Sequence, residues 1–200
     1  MSRSRLLWGV LAAAMAGTVV ASVWLKHGSN LPAQNIAASP KNFAPEFNLT
    51  DSNGQPFAST ALRGTVWIAD FIFTSCAGQC PMMTEQMRLL QRRLPQSVQL
   101  VSISVDPERD TPAVLAQYAS RQGAQPGRWH FVTGEKAAIQ RLTLQGFHLG
   151  YAEGGPKEEP IVHSVRFILV DRQGEIRGAY DGTDPASVNH LIKDVQELSR

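Results

Sequence analysis

The order of apolar and polar positions predicts strands that alternate with helices from about residue 45 onward. Residues 66–73 form a short apolar run, rich in β-branched and aromatic side chains and without alternation, so they predict a strand buried on both faces. Apolar side chains at helical spacing then predict a helix over residues 81–93. A second strand at 98–105 and a helix at 112–121 repeat this unit. The βαβα order implies parallel strands and an α/β fold.

Elements on both sides of this unit complete the predicted domain. Asn53 and Gly54 lie between apolar segments, and the Asn-Gly pair predicts a β-hairpin before the core. Asp110 or Thr111 is suited to cap the helix that begins at residue 112. Beyond residue 121 the pattern predicts a strand at 130–132, a helix at 135–144, a loop at 146–160, strands at 164–170 and 176–180, and a helix at 185–198.

The N-terminus carries a separate apolar segment. Residues 6–25 contain no formal charge and, at about 1.5 Å per residue in a helix, are long enough to cross a hydrocarbon layer of about 30 Å. Trp8 and Trp24 lie near its two ends, as interfacial aromatic residues do, and Arg3 and Arg5 precede it. These features predict a single transmembrane helix with a cytoplasmic N-terminus. A cleaved signal peptide is the alternative, and both interpretations export the domain.

Composition supports three segments along the chain. We expect an N-terminal membrane anchor or signal peptide at residues 1–27, a flexible tether rich in Pro, Gly, Ser, Asn and Ala at 28–44, and one folded domain at 45–200. The chain has nineteen Lys and Arg against seventeen Asp and Glu, a net charge of +2. This balance lacks the concentrated basic field that nucleic acids require, so no nucleic-acid partner is expected.

The two cysteines of the chain, Cys76 and Cys80, follow the predicted central strand. Pro81 suits the first turn of a helix, which makes Cys80 the expected cap, and the positive end of that helix is expected to favour thiolates. In an oxidising compartment such a pair is a reversible disulfide, a pair of soft metal ligands or a structural bridge. A purely structural bridge explains this spacing least well, because a disulfide that closes so short a loop adds only about 2 kcal/mol to the stability of the fold.

Asp70 lies inside the predicted buried strand, six residues before Cys76. A lone carboxylate in an apolar strand is expected to have a raised pKa, and such groups cluster at functional sites. Asp70 is therefore a candidate proton acceptor for the thiols. The alternative is a structural carboxylate paired with a basic side chain.

Three segments carry a resemblance to a known family. They are the run from Thr74 to Pro81 with its two cysteines, the run Ser104-Val-Asp-Pro-Glu-Arg-Asp-Thr-Pro112, and His163-Ser164. Over about residues 45–198 the chain resembles the SCO (SenC) family of thioredoxin-like proteins. The resemblance implies a thioredoxin-like α/β fold with an N-terminal β-hairpin extension, preceded by a single transmembrane helix. It also implies a position in a bacterial-type inner membrane, with the domain on the periplasmic or extracytoplasmic side.

The resemblance further implies a copper-binding metallochaperone that serves assembly of the dinuclear copper site of cytochrome c oxidase. By position, the implied copper ligands are Cys76, Cys80 and His163, holding Cu(I) or Cu(II), and the implied partner is the copper-accepting oxidase subunit. The residues agree, since thiolates select Cu(I) and imidazole also accepts Cu(II). Without the resemblance, the reason for choosing His163 among five histidines is its place at the end of a loop and the start of a buried strand.

Two features depart from the family pattern. The residues between the cysteines are Ala77, Gly78 and Gln79, where the family usually has bulkier and acidic residues, and Asp70 resembles the buried acid of thioredoxins. These departures favour an alternative function, a membrane-tethered thiol-disulfide oxidoreductase that acts on another exported cysteine protein. Whether the chain is an enzyme is therefore left open by the sequence.

Overall fold

The computed structural model describes residues 42–76, 78–153 and 161–199, and for residues 151–153 and 161–163 it describes the backbone. The predicted apolar span at 6–25 and most of the predicted tether lie outside the described residues. Among the residues that are described, no helix has the length and apolar character needed to cross a membrane.

The strands and helices follow each other in nearly the predicted order. The strands are β1 (Asn48–Asp51), β2 (Pro56–Ala58), β3 (Trp67–Ile72), β4 (Gln99–Ser104), β5 (Trp129–Thr133), β6 (Tyr151–Glu153), β7 (Ile161–His163), β8 (Arg166–Val170) and β9 (Ile176–Asp181). The α-helices are α1 (Cys80–Arg93), α2 (Pro112–Arg121), α3 (Lys136–Arg141) and α4 (Pro185–Leu198). A 3-10 turn spans Ser59–Leu62, and a π turn at Leu142–Gly146 continues α3.

Within the described residues, seven strands form one sheet in the order β2-β1-β5-β4-β3-β8-β9, and β6 pairs with β7 in a separate ribbon. The three central strands, β3, β4 and β5, are parallel, as the βαβα order predicts. The predicted hairpin is confirmed as β1 and β2, and Gly54 in its turn has a φ of +76°, which favours glycine. Because β3 and β4 are parallel, their carboxyl ends meet at one edge of the sheet, where the cysteines follow.

The core has two layers, one on each face of the sheet. Strand β3 is buried along its whole length, as predicted. Ile68 and Ile72 point into the layer beneath α1, α2 and α4, which we call the helix layer. Ala69 and Phe71 point into the opposite layer, which contains the hairpin and the α3 region and which we call the hairpin layer. Met83 and Met87 are fully buried in the helix layer, so these two methionines belong to the core.

The structure differs from the sequence prediction around residue 160. The predicted loop at 146–160 contains β6, which pairs with β7 so that Tyr151 lies opposite His163. The strand predicted from residue 164 begins at Arg166, and His163 ends the preceding strand. Three-residue strands with no consistent alternation give no periodic signal, which is why the sequence pattern missed them.

The helix that follows the cysteines begins one residue earlier than predicted. Cys80 is its first residue and Gln79, with helical dihedral angles, is its cap. Pro81 falls in the first turn, where its missing N–H leaves no helical hydrogen bond unmade. At the next helix, Thr111 is the cap and accepts a hydrogen bond from the backbone N–H of Val114 at 3.4 Å.

Candidate metal and thiol site

Cys76 and Cys80 lie at the carboxyl edge of the parallel strands. Cys76 lies in the turn after β3, and its backbone N–H donates to the Phe73 carbonyl at 3.2 Å. Cys80 is the first residue of α1. Cys76 is half-buried, whereas Cys80 is 1% exposed. The two sulfurs are not joined by a disulfide, and the Cys76 thiol lies within hydrogen-bonding reach of Cys80. A partner that approaches this edge therefore meets Cys76 first.

The protonation of Cys80 differs from the sequence prediction. Burial, followed by the hydrogen bond with the Cys76 thiol, raises the pKa of Cys80 far above its ordinary value. The charge of Asp70 acts in the same direction. The expectation that the helix N-terminus would favour a thiolate at Cys80 is therefore wrong. Removing a thiolate from water costs more free energy than the partial positive charge of one helix end returns, so metal-free Cys80 is a thiol at neutral pH.

A buried aspartate anchors the segment that leads to the cysteines. Asp110 is 0% exposed and accepts hydrogen bonds from the Thr74 backbone N–H at 3.0 Å, the Thr74 hydroxyl at 2.5 Å and the Ser104 hydroxyl at 2.6 Å. These bonds tie the residues after β3 to the end of β4. Sequence reasoning considered Asp110 only as a helix cap and missed this role. The available signal was a serine closing a buried strand, with an aspartate six residues further on.

Asp70 lies in the helix layer and is 0% exposed. Burial raises its pKa to about 7, and the hydrogen bond that the Ser102 hydroxyl donates to its Oδ1 at 2.6 Å limits that rise. Among the described residues, its other oxygen, Oδ2, has no hydrogen-bond partner. The carboxyl group is thus held by a hydroxyl and not, as the alternative predicted, by a basic side chain. At neutral pH it is poised between its two protonation states.

The backbone of His163 lies near the same edge of the sheet. Strand β8 is antiparallel to β3, with Ala69 opposite Ile168, so Arg166 at the start of β8 lies toward the cysteine end of β3. Two residues separate His163 from Arg166, which limits their Cα separation to about 11 Å. The His163 side chain lies outside the described part of the structure. In the part that is described, no group of three or more His, Cys, Asp or Glu side chains forms a metal site.

The donor set at this edge suits a soft metal ion. Two adjacent thiols, Cys76 half-buried and Cys80 buried, are soft sulfur ligands of the kind that Cu(I) prefers. The same two thiols are also suited to forming and breaking a disulfide, since they already lie within hydrogen-bonding reach of each other. The described geometry therefore supports metal binding and thiol exchange at one place.

Comparison with known proteins links this arrangement to one family. A family model described as SCO1/SenC matches residues 36–200. The SCO1 protein homolog of Bacillus subtilis (strain 168) is 33% identical over 165 residues, which cover 80% of this chain and 85% of that protein.

Two solved structures share the fold. One belongs to BsSco, described as a member of the Sco family of cytochrome c oxidase assembly proteins in which a disulfide switch was identified. It has a TM-score of 0.69 and 32% identity, covering 80% of this chain and 94% of that chain. The other is yeast Sco1 with copper bound, which has a TM-score of 0.62 and 25% identity, covering 78% of this chain and 90% of that chain. The described domain thus has the mixed α/β, thioredoxin-like fold of these proteins.

Proposed function

This chain belongs to the SCO1/SenC family, and on that basis we propose that it is a membrane-anchored copper-binding protein. It delivers copper, or prepares thiols to receive it, during assembly of the dinuclear copper site of cytochrome c oxidase. The observation that supports this most strongly is the pair of adjacent, unbridged thiols at the carboxyl edge of the parallel strands. Its partner is the copper-accepting subunit of the oxidase.

The proposed copper ligands are Cys76, Cys80 and His163. Two thiolates favour Cu(I), and an imidazole allows Cu(II) as well, so the site tolerates both oxidation states of its cargo. Zinc prefers four closed ligands, and this set provides three. The half-buried Cys76 is the ligand that an accepting protein reaches first, because Cys80 is almost completely covered.

Copper binding by the reduced, metal-free chain tests this proposal. We expect about one Cu(I) per chain in competition with a chromophoric Cu(I) chelator, and His163→Ala is expected to weaken binding by about tenfold or more. The redox midpoint of the two thiols is expected to stay nearly unchanged in that variant. His190→Ala is the matched control, because this side chain is 72% exposed on α4. An unaltered Cu(I) affinity in His163→Ala would remove the histidine from the ligand set.

Thiol-disulfide exchange with a partner's cysteines is a second candidate function, and the buried Asp70 with its raised pKa favours it. The Cys76 thiolate attacks a partner disulfide, and one partner sulfur leaves with the bonding electron pair. Cys80 then loses its proton and attacks Cys76, which leaves the partner reduced and the pair oxidised. Asp70→Asn is expected to slow this reduction near neutral pH. An unchanged rate would exclude Asp70 from the exchange.

We also propose the placement of the domain. Residues 1–27 form an uncleaved single-pass anchor in a bacterial-type inner membrane, and residues 28–44 tether the domain of residues 45–200 on the extracytoplasmic side. Extraction of membranes at high pH tests the anchor: the full chain is expected to remain with the lipid, and a variant lacking residues 1–27 is expected to be released. Release of the full-length protein would overturn the anchor, and a mature form that starts near residue 25 would show cleavage.

A further inference from the structure

A groove opens at the end of the sheet that lies opposite the cysteines, and we call it the base groove. It has a volume of about 470 Å³ and lies between the segment that enters the domain, the 3-10 turn and the turn that joins β8 to β9. Trp67, the first residue of β3, lines the groove, whereas Cys76 lies beyond the last residue of that strand. The length of this six-residue strand, about 17 Å, therefore separates the base groove from the cysteine edge.

The chain enters the domain beside the base groove. Asn42 is the first described residue, and its carbonyl accepts a hydrogen bond from the Ile176 N–H at 2.7 Å. Two residues later, the Ala44 N–H donates to the Gly174 carbonyl at 2.8 Å. These two bonds fix the entering segment to the start of β9. The residues that lead from the proposed anchor therefore join the domain at the base groove and not at the cysteine edge.

The side chains that line the base groove suit the surface of a membrane. Phe43 is 53% exposed, which makes it the most exposed large hydrophobic side chain in the described part of the chain. Arg63, whose side chain is 71% exposed, and Arg172 line the same groove. An exposed apolar ring beside basic side chains is typical of surfaces that lie at the boundary between lipid and water. A guanidinium group also binds a phosphate group through two parallel hydrogen bonds.

The charges around the base groove leave it positive. Glu46 lines the groove and forms an ion pair with Arg63. The other acidic residues of this end of the sheet both lie within 3.8 Å of the Arg177 guanidinium; they are Asp171 and Glu175. Arg172 donates to a backbone carbonyl and, within the described residues, pairs with no carboxylate. One cationic side chain of the groove is thus left for an anionic group from outside the domain.

The short connection to the proposed anchor makes a weak contact sufficient. Residues 26–41, sixteen in number, separate the predicted membrane span from the first described residue. A flexible tether of this length has an r.m.s. end-to-end distance of about 22 Å. Such a tether gives the groove an effective concentration at the membrane surface in about the millimolar range. A lipid contact that is too weak to hold a free protein can therefore hold the tethered domain.

We propose that the base groove seats the domain on an anionic membrane surface, with Phe43 at the interface and with Arg63 and Arg172 on lipid phosphate groups. The inference rests on the proposed membrane anchor and adds an orientation to it. The cysteine edge faces away from the bilayer, and an accepting protein reaches Cys76 from the aqueous side.

Hydrogen exchange of the full chain in lipid nanodiscs, measured by mass spectrometry, tests this orientation. One set of discs contains phosphatidylcholine alone, and the other also contains phosphatidylglycerol. We expect the amides of residues 59–66 and 171–175 to exchange several-fold more slowly in the anionic discs, because the membrane covers the base groove. The amides of residues 104–112, which lie at the cysteine edge, are expected to exchange alike in both.

Charge removal at the groove is compared with equal charge removal elsewhere. The double variant Arg63→Gln, Arg172→Gln is expected to weaken the contact by up to about thirtyfold and to abolish the protection. Phe43→Ser is expected to reduce it. The matched control is the double variant Arg109→Gln, Arg121→Gln, which removes two exposed arginines from other faces and is expected to keep the protection.

Energy transfer provides a second readout of the orientation. A maleimide dye attaches to Cys76, because Cys80 is only 1% exposed, and the acceptor dye is carried by the lipid headgroups. Transfer is expected to be weaker in anionic discs than in neutral discs, since seating holds Cys76 on the far side of the domain. In the double variant Arg63→Gln, Arg172→Gln, transfer is expected to return to the level of neutral discs.

Two outcomes would overturn the inference. One is equal exchange of residues 59–66 and 171–175 in both kinds of disc, and the other is protection of residues 104–112 in place of the groove. Failure of the anchor is seen separately, because a released chain leaves the membrane altogether. A chain that stays in the membrane without lipid-dependent protection overturns the orientation and leaves the anchor intact.

Discussion

Removing the charge of Asp70 is expected to stabilise the protein at neutral and alkaline pH. The carboxyl group is fully buried, and burial raises its pKa from 3.8 to about 7. In the unfolded chain the same group is exposed to water and ionises near its ordinary pKa. Folding at neutral pH therefore requires Asp70 either to take up a proton or to carry a charge into the core. Asp70→Asn keeps the shape of the side chain and removes this requirement.

The sign and size of the effect follow from linkage. Between pH 3.8 and about 7 the folded state holds a proton that the unfolded state has lost, so the free energy of unfolding falls as the pH rises through this window. A pKa difference of about three units corresponds to roughly 4 kcal/mol, at 1.36 kcal/mol per unit. Relative to wild type, Asp70→Asn is therefore expected to gain up to about 4 kcal/mol above pH 7 and almost nothing near pH 4.

Urea unfolding of the reduced chain, followed by far-ultraviolet circular dichroism between about pH 4.5 and 8.5, measures this difference. The groups whose pKa the Asp70 charge raises, Cys80 and Tyr118, titrate above this pH range, so the difference between the two stability curves isolates Asp70. The expected curves converge at low pH and separate by a growing amount toward neutrality. Parallel curves would refute the reasoning, because they would show that Asp70 ionises alike in the folded and unfolded states.

Substitutions at two further positions test buried polar contacts, one beside the cysteines and one at the far end of α1. Asp110→Ala removes three hydrogen bonds to Thr74 and Ser104 and is expected to cost about 3–4 kcal/mol in urea unfolding. Asp110→Asn is expected to cost about 1 kcal/mol, because the amide oxygen can replace Oδ2 while its NH2 group donates to the Thr74 hydroxyl. Arg128→Met is expected to lower stability by roughly 3 kcal/mol, since the buried guanidinium donates to the carbonyls of Leu94 and Pro95 at the end of α1.

Each of these predictions can be contradicted by comparing two variants at the same position. Equal losses in Asp110→Asn and Asp110→Ala would show that the charge, and not the hydrogen bonding, holds the turn before Cys76. Arg128→Lys keeps the charge and one donor direction, so it should lose less than Arg128→Met. A lysine variant as unstable as the methionine variant would indicate that the planar, forked geometry of the guanidinium is what the carbonyls require.

The central α/β unit was predictable because its signals are strong and local. Strand β3 is apolar on both faces, and helix α1 repeats its buried residues at helical spacing. The separate ribbon was not predictable. Its strands have three residues each, which is too short to show a periodic pattern. Their pairing brings Tyr151 opposite His163, twelve residues later, and hydrophobic periodicity does not predict such a pairing. The order of the strands in the sheet likewise depends on contacts between segments that are far apart in the chain.

The candidate site was predictable in its residue types and less so in its energetics. The sequence identified both cysteines and the buried position of Asp70, because these follow from motif spacing and from a charge within an apolar run. It did not predict the direction of the pKa shift of Cys80, which depends on how completely the fold covers that sulfur. It also missed Ser102 as the partner of Asp70, because parallel register decides which residues of β3 and β4 lie side by side.

Two buried aspartates near the cysteines show how hydrogen bonds divide roles between identical side chains. Asp70 and Asp110 are both 0% exposed. Both oxygens of Asp110 accept hydrogen bonds, and two of its three donors come from Thr74, so this carboxylate is bound in place and fixes the turn that leads to Cys76. Asp70 has one oxygen held by Ser102 and one without a described partner. Asp110 therefore fixes the geometry of the turn before Cys76, whereas Asp70, which one hydroxyl holds and burial surrounds, is the carboxyl group whose pKa is raised to about 7.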